Sequence, residues 1–242
     1  MFSFFKPKDQ SSNPITSDIH SHLLPNLDDG VKSLQESVSL IKQFVELGYR
    51  KIITTPHVMS DYYRNSNEQI EASLEELIQY LKSEQVDIEI EAAAEYYLDE
   101  ELLNRLENGN PLLTFGKEKF LLFETNFLTE PFQLKNFIFL LTTQGYKPVL
   151  AHPERYQYLV NDFAKIEDLR NRGVYFQINV PSIVGAYSKP IQTTSIELIK
   201  KGWVEFLGSD CHNQIQFEIF KSAMKAKYYK KALDLPLLNR SL

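Results

Sequence analysis

The chain of 242 residues has a single cysteine, Cys211, so it cannot form an internal disulfide and does not read as a cross-linked secreted scaffold. Its 9 glycines are scattered, mostly where helices should end, and make neither a Walker loop nor a dinucleotide-binding turn. No stretch approaches the roughly 20 apolar residues that a membrane span needs. The opening MFSFFKPKDQSSNP has aromatics but no apolar core of signal-peptide length. Basic charge is also short. With 26 Lys and Arg against 32 Asp and Glu, the net charge is −6, which argues against a nucleic-acid partner, and no basic strip with interleaved aromatics appears. The 43% hydrophobic and 24% charged fractions exclude low-complexity disorder. A globular protein without membrane insertion is expected, placed in the cytoplasm. Its oligomeric state is not legible here.

What remains is a regular alternation. Residues 1–14 read as a flexible N-terminal lead, with Phe4 and Phe5 as docking points, and 15–242 read as one domain. Seven β-rich runs are expected at Ile15–Ile19, Lys51–Thr55, Asp87–Ala94, Phe120–Phe123, Pro148–Ala151, Val174–Asn179 and Val204–Gly208. Amphipathic segments separate them. Ser33 and Glu36 suggest a capping box for a helix stopped by Gly48, and Asn67 suits the cap of the next. Pro131 suits a first helical turn, and Gly145, Gly173 and Gly202 suit helix ends. There is no internal repeat and no Ser/Gly-rich linker. Strands alternating with helices imply an α/β fold with a parallel sheet, either doubly wound or closed into a TIM-like barrel. Nearly every run ends in a potential ligand: His20, Thr55 leading to His57, Glu95, Glu124, His152, Asn179 and Asp210. In a barrel these ends converge on one mouth.

All five histidines, His20, His22, His57, His152 and His212, stand at or just after an expected strand end. His20 and His22 are two apart, so on extended chain both imidazoles point the same way. Asp210-Cys-His212 repeats that spacing with a carboxylate first. Glu95 and Glu124 follow apolar residues, where an ionised group needs a partner. One such histidine is commonly structural, and Asp28-Asp29-Gly30 alone reads as a turn. Unrelated structural roles, however, would not put every histidine on one rim. Mixed imidazole and carboxylate donors suit Mn, Zn or Fe, and the number of candidates implies two or three divalent ions. Such a set activates water and clamps phosphoryl oxygens. A cysteine phosphatase would need an arginine six positions after its nucleophile. Position 217 is Phe, so Cys211 reads as a small buried residue.

Asp18-Ile-His-Ser-His22 followed by Leu27-Asp-Asp-Gly30, then Thr55-Pro-His57, Ala94-Glu-Tyr-Tyr97, Phe123-Glu124, Ala151-His-Pro-Glu-Arg155 and Ser209-Asp-Cys-His212, form an ordered series. The series resembles the polymerase and histidinol phosphatase (PHP) superfamily. Within it, the match is to the bacterial tyrosine-protein phosphatases of capsular and exopolysaccharide loci, the CpsB/YwqE type. The resemblance runs from about Thr16 into the C-terminal region.

That resemblance implies a distorted (β/α)7 TIM-like barrel, the PHP fold, with a trinuclear centre usually assigned to Mn2+. It implies hydrolysis of phosphotyrosine on the tail of a bacterial tyrosine kinase by a metal-activated hydroxide. Carried over residue by residue, His20, His22, Glu95 and Asp210 would hold one ion. Glu95, Glu124 and His152 would hold a second, and Asp29, His57 and His212 a third. Arg155 matches the phosphate-binding arginine, with Asp29 and His57 as further catalytic positions, and Asp18 is expected to orient a ligand histidine. Relatives often carry a basic residue after the His57 position, where this chain has Val58 and Met59, so Arg64 is considered as a substitute. Tyr96 is considered for substrate contact, together with Tyr62, Tyr63 and Tyr97. Two alternatives stand beside this reading: a PHP phosphoesterase acting on a small monoester such as histidinol phosphate, and a non-catalytic metal-stabilised binding module.

Overall fold

A computed structural model describes residues 14–242. Of the expected N-terminal lead, residues 1–13, with Phe4 and Phe5, lie outside the described residues.

Every ladder between named strands is parallel. One set runs β1 (Ser17–Asp18), β2 (Lys51–Thr54) and β4 (Glu89–Ala92), with β3 (His57–Val58) continuing the chain after β2. The second set runs β3, β5 (Glu95–Tyr97), β6 (Phe120–Glu124), β7 (Lys147–Ala151), β8 (Tyr175–Asn179) and β9 (Phe206–Gly208). The two sets are one curled sheet broken at Thr55-Pro56 and Ala93-Ala94. Ala93 N–H donates to Thr54 O at 2.9 Å and Glu95 N–H to Pro56 O at 3.1 Å, which carries the pairing across the break. The proline, which lacks an N–H, falls where the ladder bends. The outer edges also meet, because Asp210 N–H donates to His20 O at 2.8 Å and His22 N–H to Cys211 O at 2.9 Å.

Helices fill the connections: α1 (Leu34–Glu46), α2 (Asn67–Ser83), α3 (Glu100–Glu107), α4 (Leu134–Thr143), α5 (Phe163–Asn171), α6 (Lys189–Lys201), α7 (Gln214–Ala223) and α8 (Lys227–Ala232). Their caps differ in detail from the sequence expectation. Ser33 does cap α1, but the Glu36 carboxylate accepts from Lys32 N–H rather than from Ser33, so no reciprocal box forms. At α2 the capping box belongs to Ser66 and Gln69, and Asn67 is already helical. Pro131 precedes α4 by more than a residue, in a turn before Gln133. Gly145, Gly173 and Gly202 do end their helices, each with positive φ.

Period-two alternation sorts the strand residues into two cores. On β6, Leu121 and Phe123 face the helices, with the Phe123 ring 5.1 Å from that of Phe137 on α4. Phe120 and Leu122 face inward with Ile19, Ile53, Ala93, Val149, Ala151 and Phe206. This inner row is apolar near the strand starts and becomes Glu124, Gln177 and Asn179 near the ends. The plug therefore closes one end of the sheet's interior, and the polar residues meet at the other.

Candidate metal centre

His20 and His22 lie just past β1, on chain that is still extended, and both rings point into the interior. Their outward nitrogens are already engaged. His20 Nδ1 is 2.7 Å from Gln177 Oε1, and His22 Nδ1 is 2.7 Å from Asp28 Oδ2. Each Nδ1 must donate, which leaves Nε2 as a bare lone pair in the neutral ring. The two Nε2 atoms lie 3.4 Å apart. His20 Nε2 is 3.1 Å from Glu95 Oε2, His22 Nε2 is 3.4 Å from the same oxygen, and both are 3.5 Å from Asp210 Oδ1. Four acceptors thus converge on one buried point with no donor between them. Only a cation satisfies that arrangement, a proton or a metal ion. Ligand atoms bound at 2.0–2.2 Å to one ion sit roughly 3.0–3.5 Å from each other, the spacing found here.

The cage extends on both sides of Glu95. His152 Nε2 is 2.9 Å from Glu95 Oε1, and His57 Nδ1 is 3.2 Å from Glu95 Oε2 and 3.1 Å from Glu124 Oε1. Despite those short distances, His57 Nδ1 makes no well-directed hydrogen bond. An orphaned buried nitrogen between two carboxylates is a second place that suits a cation. Toward solvent, Asp29 Oδ1 lies 3.7 Å from His57 Nε2 and 3.4 Å from His212 Nε2, and it groups with them and with His22. His152 falls with His20 and Asp210, and Glu124 with His57 and Glu95, so the grouping differs from the expected pairing of Glu124 with His152. His152 and Asp210 both adopt positive φ, 34° and 50°, a costly conformation for non-glycine residues that the surrounding bonds hold in place.

The electrostatics follow from burial and mutual pairing. Burial alone would lower His20, but the carboxylates of Glu95 and Asp210 outweigh it and lift the ring to about 9. His22 is likewise raised well above its usual range, against burial, chiefly by Asp28. Glu95 and Asp210 are held well below the usual carboxylate range, against burial, chiefly by His20. His152 is lowered by burial and by the neighbouring Arg155. With no metal bound, His20 and His22 are thereby favoured in the charged form beside their carboxylates, whereas His152 is favoured neutral.

A cavity of about 340 Å³ opens over these groups, lined by Asp29, His57, Glu95, Glu124, His152, Asp210 and His212 among others. Arg155 also lines it, from the short 3-10 turn after His152, with Nη1 3.1 Å from Asp210 Oδ2. Four residues that sequence reasoning missed complete the surroundings. Asp28 orients His22 and also accepts from Gly30 N–H at 2.8 Å and His57 N–H at 3.0 Å. Gln177 orients His20. Phe127, just beyond the end of β6, and Tyr187, past the 3-10 turn Val180–Val184 that follows β8, stand at the cavity wall. The readable signal for Gln177 was its position, two residues before Asn179 on the inward face of β8.

Three expectations are corrected. Tyr96 does not face the cavity. Alternation on β5 points Glu95 inward and Tyr96 out, where it is fully buried, accepts Leu113 N–H at 2.8 Å and packs under Arg105. Its neighbour Tyr97 lines the cavity instead. Arg64 is exposed, donates to Ser60 O and lines an adjoining cavity of about 610 Å³, so it does not replace the missing basic residue, and Met59 lies in the wall between. Asp18 orients no histidine. It accepts from Ser209 N–H at 2.9 Å and from Ser209 Oγ at 2.8 Å, tying β1 to the segment after β9. Tyr63 stacks on His57, centroids 5.5 Å apart, whereas Tyr62 projects into solvent.

Comparison with known proteins agrees in sequence and in fold. CapC of Staphylococcus aureus is 28% identical over 229 residues, covering 93% of this chain and 89% of that protein. Tyrosine-protein phosphatase CpsB of Streptococcus pneumoniae is 29% identical over 201 residues, covering 81% and 82%. A crystal structure from work on YwqE of Bacillus subtilis and CpsB of S. pneumoniae, described as metal-dependent tyrosine phosphatases, superposes with a TM-score of 0.78. It is 25% identical and covers 91% of this chain and 95% of its own. An amidohydrolase from Mycoplasma synoviae, 12% identical with a TM-score of 0.56 over 94% and 87%, shares the fold alone. Residues 16–231 match the capsular polysaccharide synthesis family CpsB/CapC, and the chain belongs to that family.

Proposed function

We propose that this protein is a metal-dependent protein-tyrosine phosphatase, acting in the cytoplasm on the phosphorylated tail of a bacterial tyrosine kinase that regulates capsule or exopolysaccharide synthesis. We read its curled sheet as a distorted (β/α)7 barrel, spanning 15–242 as one domain. The observation that carries the reading is the convergence of inward-facing imidazole nitrogens and carboxylates around Glu95, under a cavity that also holds Arg155.

His20, His22, Asp29, His57, Glu95, Glu124, His152, Asp210 and His212 would hold two or three divalent cations, with Mn2+ as the proposed occupant. Such cations, when bound, supply an activated water and neutralise charge on phosphoryl oxygens. The chain's own residues do the rest. Arg155 presents the planar donor fork that suits phosphate oxygens. Asp29 and His57 form the mouth side of the cage, where the phosphoryl group arrives. The leaving phenolate has a conjugate acid with pKa near 10, so departure needs little proton donation from the protein. Cys211 is fully buried, with its thiol pushed up by burial, and is unsuited to nucleophilic attack.

The test is a chelator-stripped sample assayed on three substrates: a phosphotyrosyl peptide from a tyrosine-rich kinase tail, a phosphoseryl peptide and histidinol phosphate. Mn2+ should restore hydrolysis, with the highest kcat/KM for the phosphotyrosyl peptide. A higher kcat/KM for histidinol phosphate would replace this reading with the small-molecule phosphoesterase.

A further inference from the structure

We propose that Phe127 and Tyr187 are positioning residues that hold the Arg155 guanidinium against two rings and so set its fork over the phosphoryl site. The inference rests on the phosphatase reading of that cavity.

The Arg155 guanidinium carbon lies 4.8 Å from the centroid of Phe127 and 4.5 Å from that of Tyr187, within cation–π range of both. Both rings are more than a third exposed, at 37% and 38%, so core packing does not account for their placement. Each is itself braced by other groups. The Phe127 ring stacks on His152 at 5.6 Å and on Tyr156 at 5.3 Å. Its backbone carbonyl accepts Gln157 N–H at 2.7 Å, and the turn that follows is tied by Asn126 Oδ1 to Leu128 N–H at 2.8 Å. The Tyr187 hydroxyl accepts from Asn179 Nδ2 at 3.2 Å, and the same nitrogen donates to Asp210 Oδ2 at 2.6 Å.

Arg155 Nη1 shares that Asp210 oxygen, and Asp210 is the polar partner of the guanidinium among the described residues. A guanidinium has five N–H donors, so most of its donors remain for an oxyanion. Held by one carboxylate alone, a long arginine side chain would swing about that contact. Contact with two rings restricts that swing without occupying its donors. The rings therefore act on binding of the phosphoryl group rather than on the chemical step.

The experiment compares Phe127→Leu and Tyr187→Leu in the wild-type and Arg155→Ala backgrounds, all loaded with Mn2+. Two quantities are read: KM and kcat on the phosphotyrosyl peptide, and the Kd for inorganic phosphate by calorimetry. In the wild-type background each leucine variant should raise KM and phosphate Kd roughly 3- to 30-fold, the range a cation–π contact is worth, with a smaller change in kcat. In Arg155→Ala the same substitutions should cost less than about twofold, because the cation they hold is gone. Phe127→Tyr, which keeps the ring, should behave like wild type, and Tyr187→Phe, which keeps the ring but loses the Asn179 contact, should fall between wild type and Tyr187→Leu. Equal penalties in both backgrounds, or unchanged phosphate Kd, overturn the proposal. Absence of phosphotyrosine hydrolysis by wild-type protein would overturn the phosphatase reading instead, and the phosphate Kd comparison would still decide the role of the rings.

Discussion

His22 Nδ1 and Asp28 Oδ2 lie 2.7 Å apart, both buried, and this contact turns the opposite nitrogen of the imidazole into the cage. The Asp28 carboxylate is itself pinned by Gly30 N–H and His57 N–H. A Cβ at Gly30 would collide with His22 O, so the turn that presents Asp28 also requires a glycine. Asp28→Asn should lower Mn2+ affinity by about 10- to 100-fold, as loss of an orienting carboxylate does elsewhere. Titration calorimetry measures it, and an unchanged affinity would remove Asp28 from the account.

Metal binding should release protons. Burial opposes the charged form of His20, yet Glu95 and Asp210 raise the ring from 6.5 to about 9. A raised histidine stabilises the fold fully below its unfolded value and loses that contribution as pH climbs through the folded one. The metal-free protein should therefore lose stability between about pH 6.5 and 9 from this ring, while its Mn2+ affinity rises over the same interval. Calorimetry at neutral pH in buffers of different ionisation enthalpy should report net proton release. Heats independent of buffer would show that the imidazoles are already neutral.

Tyr96 and Tyr97 should separate cleanly. Tyr96→Phe removes the acceptor of Leu113 N–H and should cost about 1–3 kcal/mol of stability with kcat/KM unchanged. Thermal unfolding and steady-state rates of the same variant check both halves. A large fall in kcat/KM would restore Tyr96 to the substrate site.

Thiol reagents should have no effect. Cys211 is fully buried and its thiol is held protonated by burial. Iodoacetamide treatment of the native protein should leave turnover intact, and Cys211→Ala should remain active. Inactivation by alkylation in proportion to Cys211 labelling would contradict this.

Much of this architecture was readable because the barrel-like arrangement writes its site at regular intervals. Seven runs ended in polar residues, and at five of them His57, Glu95, Glu124, His152 and Asp210 do line one cavity. What escaped had no periodic signature. His57–Val58 and Glu95–Tyr97 form separate short strands because Pro56 and the Ala93-Ala94 pair interrupt longer runs, and strands of two or three residues carry too few positions for alternation to be read. Tyr96 and Tyr97 are adjacent and chemically alike, so only the register fixed by Glu95 tells which faces the cavity. Asp28 looked like part of a turn, and it is one. Its second role depends on His22 and His57 approaching from other segments, a tertiary fact. Arg64 is near His57 in sequence, but the Met59–Tyr63 pairing folds the intervening residues back and directs Arg64 to the adjoining cavity.

In the proposed mechanism one cage of cations, shared through Glu95, carries the hydrolysis. Elemental analysis and turnover on the same Mn2+-loaded samples of wild type and Glu95→Gln test it most directly. More than one Mn2+ per wild-type chain is predicted, with bound metal and phosphotyrosine turnover collapsing together in the variant. A Glu95→Gln protein that keeps its metal and hydrolyses at the wild-type rate would contradict the account.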